Sequence, residues 1–173
     1  KIGREKIFWM DKSQSFEQII GQHQGILWKV ANIYCRNEED RKDVVQEILI
    51  QLWRSFDKYD SNFKYSTWIY RIALNVAISF YRKNYARENR TTTLETEEIA
   101  VSMTEISETE NHLSLLEKFI NELKELDKAL MLLYLEEKSH KEIAEILGIS
   151  TSNVATKINR IKENLKRRFA GEE

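Results

Sequence analysis

The 173-residue chain has no proline and only five glycines, where average usage would give about 9 and 12. Helix breakers are therefore scarce, while Glu, Lys, Leu and Ile are plentiful, which excludes a turn-dense β architecture and favours an all-helical one. A single cysteine, Cys35, excludes an internal disulfide and leaves no thiol pair for a metal. It reads as a plain buried cysteine, and a cytoplasmic location fits. No run of about 18 apolar residues exists, so no membrane insertion is expected. The start of the chain has only a short apolar patch, Ile7 to Met10, without the longer apolar core and small-residue cleavage site of a signal peptide. Residues 1–14 read as an N-terminal extension, residues 1–9 as foreign to the natural chain, and Met10 as a candidate start. His23, His112 and His140 are scattered, with no glycine-rich phosphate loop and no nucleophile constellation. An enzyme, a metal site and a cofactor are accordingly not expected.

The formal net charge is −1, but the charges are sorted along the chain. Residues 1–90 carry 16 basic and 11 acidic side chains, residues 91–116 carry six acidic and no basic ones, and residues 117–173 carry 11 of each. Within the last span, Thr151–Phe169 holds six basic residues and one acid. A local basic stripe matters more to nucleic-acid binding than the total.

The pattern predicts two small helical domains, 15–87 and 113–169, joined by a flexible acidic linker over 88–112. Ser15 and Gln18 form a capping-box pair for a first helix bearing Phe16, Ile19, Ile20, Leu27, Val30 and Tyr34. After a polar turn at Arg36–Asp40, a helix over about 39–56 places Val44, Val45, Ile48, Leu49, Leu52, Trp53 and Phe56 at helical spacing. Asp57–Ser66 is loop-like. A third helix, about 66–87, is expected to bury Trp68, Ile69, Ile72, Ala73, Val76, Ala77 and Phe80, leaving Tyr70, Arg71, Asn75, Ser79, Arg82 and Lys83 outside the core stripe.

The C-terminal domain carries the most specific local signal. Ser139 to Glu142 is a capping box, Gly148 can take the left-handed turn that stops a short helix, and Ser150 can cap the next. That next helix aligns Val154, Ile158, Ile161, Leu165 and Phe169 in one apolar stripe. A short helix, a glycine corner and a polar-faced second helix make a helix-turn-helix, whose second helix fits the DNA major groove. Ser152, Asn153, Thr156, Lys157 and Arg160 are the candidate base readers, and Lys162, Lys166, Arg167 and Arg168 the candidate phosphate contacts. A plain three-helix bundle with solvated charges would explain the stripe, but not the corner chemistry together with the basic bias.

Two further surfaces stand out. Asp43, Gln46, Glu47 and Ile50 share the helix face opposite the core stripe, and Ile50 is an apolar residue on that polar face. A lone exposed isoleucine is common, so periodicity alone leaves a protein contact and a solvated face both open. Phe63, Tyr65 and Trp68 precede or open the third helix, on which Arg71, Asn75 and Arg82 follow. Aromatics beside cations suit single-stranded DNA, where bases stack on rings and phosphates need cations; the alternative is core aromatics with solvated charges.

The run Asp43-Val-Val-Gln46-Glu47 through Trp53, followed by Ser66-Thr-Trp68-Ile-Tyr-Arg71-Ile-Ala-Leu-Asn75, resembles region two of extracytoplasmic-function (ECF) sigma factors, and Ser139 to Leu165 resembles their region four. The likeness covers about 15–87 and 113–169, in order and with a short linker. It implies a transcription initiation factor that binds core RNA polymerase and promoter DNA. Asp43, Gln46, Glu47 and Ile50 would dock on the β′ clamp, and region four on the β flap. The loop before Trp68 would capture a flipped base of the −10 element, with Phe63, Tyr65, Arg71, Asn75 and Arg82 on the melted strand. The second helix of region four would read the −35 element, the linker would thread the polymerase cleft, and an anti-sigma factor would be a partner. Lys157 stands where such factors usually carry arginine, and Ala155 where a basic residue is common. A one-component repressor would explain the helix-turn-helix but not the region-two motifs. A helical adaptor would explain Ile50 but not the basic C-terminus.

Overall fold

The structure, a computed structural model of the chain, describes the backbone of residues 2–91, 116 and 118–171, and the side chains of 12–84, 116 and 118–171. The described residues are helical, with no strand among them, as the scarcity of proline and glycine predicts. The expected linker lies outside the described residues from 92 onward, as do the side chains of Ile7 to Met10 and the question of where the natural chain starts. The chain divides into two compact units, Lys1–Tyr81 and Arg82–Glu173.

The first unit is built from three helices. Helix α1 spans Ile2–Tyr34, so Ser15 lies in its interior and caps nothing, contrary to expectation. No proline interrupts the preceding residues, and tertiary contacts hold this turn helical. Lys12 Nζ reaches Asp57 Oδ2 at 2.6 Å and lies 4.7 Å from the centre of the Trp53 ring. The Ser13 hydroxyl donates to Glu17 one turn on, within the helix. Helix α2 spans Glu38–Ser55. Its start is fixed by Asn37, whose side chain accepts from the Asp40 N–H at 2.7 Å, with Glu38, Glu39 and Asp40 at the positive end of the helix dipole. A 3-10 turn over Phe56–Lys58 leads through a short loop into α3, Tyr65–Thr91. Helix α3 thus runs on into the span expected as linker.

The core of this unit takes part of the row expected on α1 and α2: Leu27, Val30 and Tyr34, joined by Ala31, pack against Val44, Val45, Ile48 and Leu52, all buried, whereas Phe16, Ile19, Ile20, Leu49, Trp53 and Phe56 are half-buried. Cys35 is buried at the end of α1, and desolvation, reinforced by the Asp40 carboxylate, pushes its thiol up to about 11 against the opposing pull of Arg41. On α3 the buried face is rotated from the expected one. Tyr70 is 1% exposed and Leu74 2%, in line with Ile69, Ala73 and Ala77, whereas Trp68, Ile72, Val76 and Phe80 are half-buried. Apolar residues cover more than half the circumference of α3, so periodicity alone does not choose which half is buried. The small side chains of Ala73 and Ala77 let a neighbour approach along their line, and Tyr70 and Leu74 follow them inward.

The second unit is a compact helical bundle. Helical residues 118–122 form the described part of α4, followed by α5 at Glu125–Leu135, α6 at His140–Leu147 and α7 at Thr151–Phe169. Helix α5 is the central element, buried continuously from Asp127 to Leu133. It ends with Glu137 in a left-handed conformation at φ 55°, where the Lys138 N–H reaches back to the Leu133 carbonyl at 3.1 Å. Helix α6 opens on the expected capping box. The Ser139 hydroxyl accepts from the Glu142 N–H at 3.2 Å, and the Glu142 carboxylate accepts from the Ser139 N–H at 3.1 Å. Gly148 closes the helix at φ 67°, and the Ser150 side chain accepts from the Asn153 N–H to start α7. Val154, Ile158 and Ile161 are buried against α5 and α6, and Leu165 is half-buried. Phe169, expected to end this stripe, is 41% exposed because it lies at the last residue of the helix, beyond the bundle.

Candidate nucleic-acid and protein interfaces

The loop between α2 and α3 is an aromatic construction. Asp60 Oδ1 accepts from the Asn62 N–H at 2.9 Å, and the Phe63 N–H donates to the Asp60 carbonyl at 3.1 Å, which closes a tight polar turn. The Tyr59 hydroxyl donates to the Phe63 carbonyl across this turn. The Tyr59 ring stacks on Tyr65, with centroids 4.3 Å apart and planes at 16°, and meets Trp68 edge-on at 5.4 Å. Trp68 in turn touches Phe56, and Phe56 and Trp53 both meet Phe16 of α1. The Arg71 guanidinium sits 4.9 Å from the Phe63 ring. A continuous row of rings therefore runs from α1 to the loop and ends at Tyr65, which is 36% exposed. Burial, then Tyr65 and Asp60, raise the Tyr59 phenol above its ordinary value, so it stays a hydrogen-bond donor.

Tyr59 is the member of this row that the sequence reading did not single out. Its signal was its place among aromatics in an otherwise polar loop. Phe63, Tyr65, Trp68 and Arg71 are brought together. Arg71, Asn75 and Arg82 fall within about 40° of one another around α3, at about 100° per residue; Asn75 and Arg82 are exposed and Arg71 is half-buried.

On α2 the residues Asp43, Gln46, Glu47 and Ile50 are all exposed, with Ile50 at 36%. Gln51 Nε2 donates to Glu47 Oε1 at 2.7 Å, which steadies the carboxylate along this face. The arrangement is a polar strip with one apolar residue, supplied by a helix whose opposite side is fully buried.

On α7 the expected readers separate into two groups. Ser152, Asn153, Thr156 and Arg160 are exposed. Asn153, Thr156, Arg160 and Arg167 lie along one line of the helix, within about 60° of each other at about 100° per residue. Lys157 is drawn inward: its Nζ donates to Asp127 Oδ1 on α5 at 3.3 Å, and its side chain is 25% exposed. Lys162 also turns into the bundle, donating to the Tyr134 hydroxyl at 3.3 Å over the Tyr134 ring. Of the remaining cations, Lys166 pairs with Glu163 at 3.1 Å, Arg167 donates to Asn164, and Arg168 meets Glu122 at 2.5 Å and faces the Phe119 ring. Sequence spacing did not foresee Lys162 and Lys157 leaning inward, because each lies at the edge of the apolar stripe, where a long aliphatic stem packs on the core and carries its head to a partner on α5.

One unit thus holds a helix-turn-helix with a polar outward line, and the other an aromatic loop between two helices. Residues 19–87 match sigma-70 region 2, and residues 113–165 match sigma-70 region 4. The chain is 28% identical to the ECF RNA polymerase sigma factor SigW of Bacillus subtilis over 90% of this chain and 89% of that protein. It is 30% identical to the ECF RNA polymerase sigma-E factor of Escherichia coli K12 over 78% of each chain. Its fold is similar to that of CnrH in complex with the cytosolic domain of CnrY (TM-score 0.67, 21% identity, 93% and 91% of the two chains). It is also similar to the sigma factor RpoE in complex with the anti-sigma factor NepR from Bartonella quintana (TM-score 0.70, 17% identity, 92% and 99%). The chain belongs to the ECF sigma factors, which recognise promoters for RNA polymerase in transcription initiation and are not a class of enzyme. Among the described residues, no helix is long and apolar enough to cross a membrane.

Proposed function

We propose a division of labour between the two units. The second unit reads the −35 element through α7, with Asn153, Thr156 and Arg160 at base edges and Arg167 on phosphate. The segment 15–87 opens the −10 element, taking a flipped base into the loop at Tyr59–Trp68 and holding the melted strand on Arg71, Asn75 and Arg82 of α3. The observation that carries this reading is the row of touching rings that ends at exposed Tyr65, with the Arg71 guanidinium against Phe63 of the same loop. Taking a base out of the duplex costs a few kcal/mol, which a stacking surface must return. The strip Asp43, Gln46, Glu47 and Ile50 docks on the polymerase β′ clamp, and region four rests on the β flap. The functional segments are 15–87 and 113–169, with 88–112 between them. The protein acts in the cytoplasm and performs no chemistry of its own, leaving catalysis to the polymerase. Because CnrH is found in complex with the cytosolic domain of CnrY, and RpoE with the anti-sigma factor NepR, an anti-sigma factor for this chain is part of the proposal.

Permanganate reactivity of promoter thymines in holoenzyme made from this chain and core polymerase tests the melting role. Replacing Arg71 and Arg82 by alanine should reduce bubble formation on duplex DNA, and a promoter already opened at the −10 element should restore part of it. Unchanged reactivity on the duplex would refute the assignment.

A further inference from the structure

Asp127 is the only carboxylate among the described residues that is buried, at 7% exposure, and it faces the recognition helix. Its two oxygens are divided between two cations of α7. Oδ1 accepts from Lys157 Nζ at 3.3 Å, and Oδ2 lies 3.7 Å from Arg160 Nη2. The two cations differ in what is left free. The Lys157 side chain is 25% exposed and that of Arg160 is 65% exposed.

A carboxylate taken out of water is costly unless it is paired. Lys157 supplies that pair from inside the bundle and cancels the negative charge that would otherwise repel DNA. Arg160 is tethered at one edge only. The ion pair at Nη2 draws one end of the rigid guanidinium plane toward Asp127, while the side chain stays 65% exposed and keeps donors available. Arg160 lies on the same helix line as Asn153 and Thr156. Orienting an arginine before binding removes part of the entropy cost of ordering it on a base.

We propose that Asp127 is a positioning residue for promoter reading: it aims Arg160 at a single base pair of the −35 element, with Lys157 as its counter-ion rather than a reader. This inference rests on α7 being the −35 reader. It departs from the sequence expectation for Lys157, and it assigns a specificity role to a residue on α5, outside the helix-turn-helix.

The test uses holoenzyme assembled from the full chain and core polymerase, with competition between −35 variants at several salt concentrations. Arg160→Ala should lose preference at one base pair by roughly 5- to 150-fold, the range for a bidentate contact. Asp127→Asn, a near-isosteric change, should lose preference at that same base pair and steepen the salt dependence, because freed Lys157 gains a phosphate worth about 0.9 in slope. Asp127→Glu should restore part of the preference, and the Asp127→Asn/Arg160→Ala pair should lose little more preference than either single change. Lys157→Met keeps the packed stem but leaves the Asp127 charge unbalanced, so it should weaken binding to all −35 variants alike while each keeps its preference; Asp127→Glu serves as the second variant if Asp127→Asn fails to fold. Retained preference in folded Asp127→Asn, or loss of a separate base preference in Lys157→Met, overturns the inference while α7 remains the reader. If neither Asn153→Ala nor Arg160→Ala alters any −35 preference, the reading of α7 fails and the inference with it.

Discussion

Tyr59 and Tyr65 stack with ring centroids 4.3 Å apart, while the Tyr59 hydroxyl donates to the Phe63 carbonyl on the far side of the turn between them. One residue thus fixes both the ring that faces solvent and the backbone of the loop that presents it. Removing the two functions separately should have graded effects. Tyr59→Phe keeps the stack and loses the hydrogen bond, a cost of about 1 kcal/mol. Tyr59→Ala also loses the aromatic contacts, worth about 0.5–1.5 kcal/mol per pair. Open-complex formation, followed by permanganate reactivity, should fall slightly in the first variant and severely in the second. Equal activity of both would mean that the loop does not depend on this residue.

The α2 strip predicts a separable polymerase-binding defect. Glu47→Lys reverses an exposed charge without touching Val44, Val45, Ile48 or Leu52, so the thermal melt should stay unchanged. Affinity for core polymerase should fall by about 2 kcal/mol if the residue sits at the centre of the interface. Gel-filtration co-elution and a circular-dichroism melt of the same sample report the two quantities. Full binding by the reversed variant would place the docking surface elsewhere.

Glu137 predicts a stabilising substitution. A non-glycine residue in the left-handed region costs about 1–2 kcal/mol, so Glu137→Gly should raise stability, less the extra entropy of the unfolded chain. The reverse change at the next corner, Gly148→Ala, should cost a similar amount through backbone strain alone, because nothing lies within 4 Å of a Cβ there. Urea midpoints of the full chain measure both, and a Glu137→Gly variant that is destabilised would contradict the cap geometry.

Cys35 predicts a pH dependence. Its thiol is raised from 9.0 to about 11 in the fold, so the protonated form is favoured there. The resulting stability is complete below about pH 9 and is lost as pH rises through 11, by roughly 1–3 kcal/mol at about 1.4 kcal/mol per unit. Cys35→Ala should lose that part of the alkaline decline, visible as a smaller shift of the urea midpoint between pH 8 and pH 10.5. An identical shift in both proteins would assign the decline to other groups.

Much of this architecture was legible in the residues themselves. The Ser139–Glu142 box, the Gly148 corner and the Ser150 cap are local devices, fixed by atoms within a few positions of one another. The rotation of α3 that buries Tyr70 and Leu74 was not legible, because its apolar arc is too wide for periodicity to choose a centre. The helical course of α1 past Ser15 depends on partners distant in sequence, including Asp57 and Trp53 for Lys12. The same reason hid Asp127: its role exists only once α5 and α7 are packed together, and neither helix carries a pattern that announces it.

The central claim is that two units of one chain read two promoter elements for RNA polymerase. Its most direct test is transcription in vitro by core polymerase plus this protein from a promoter library randomised at both the −10 and −35 positions, with the transcripts sequenced. The account predicts transcripts that depend on the protein and are enriched for one sequence at each element. Asn153→Ala and Arg160→Ala should relax the −35 enrichment alone, and Tyr65→Ala and Arg71→Ala should weaken −10 selection alone. Transcripts without enrichment at either element, or α7 variants that change −10 selection while leaving −35 intact, would contradict it.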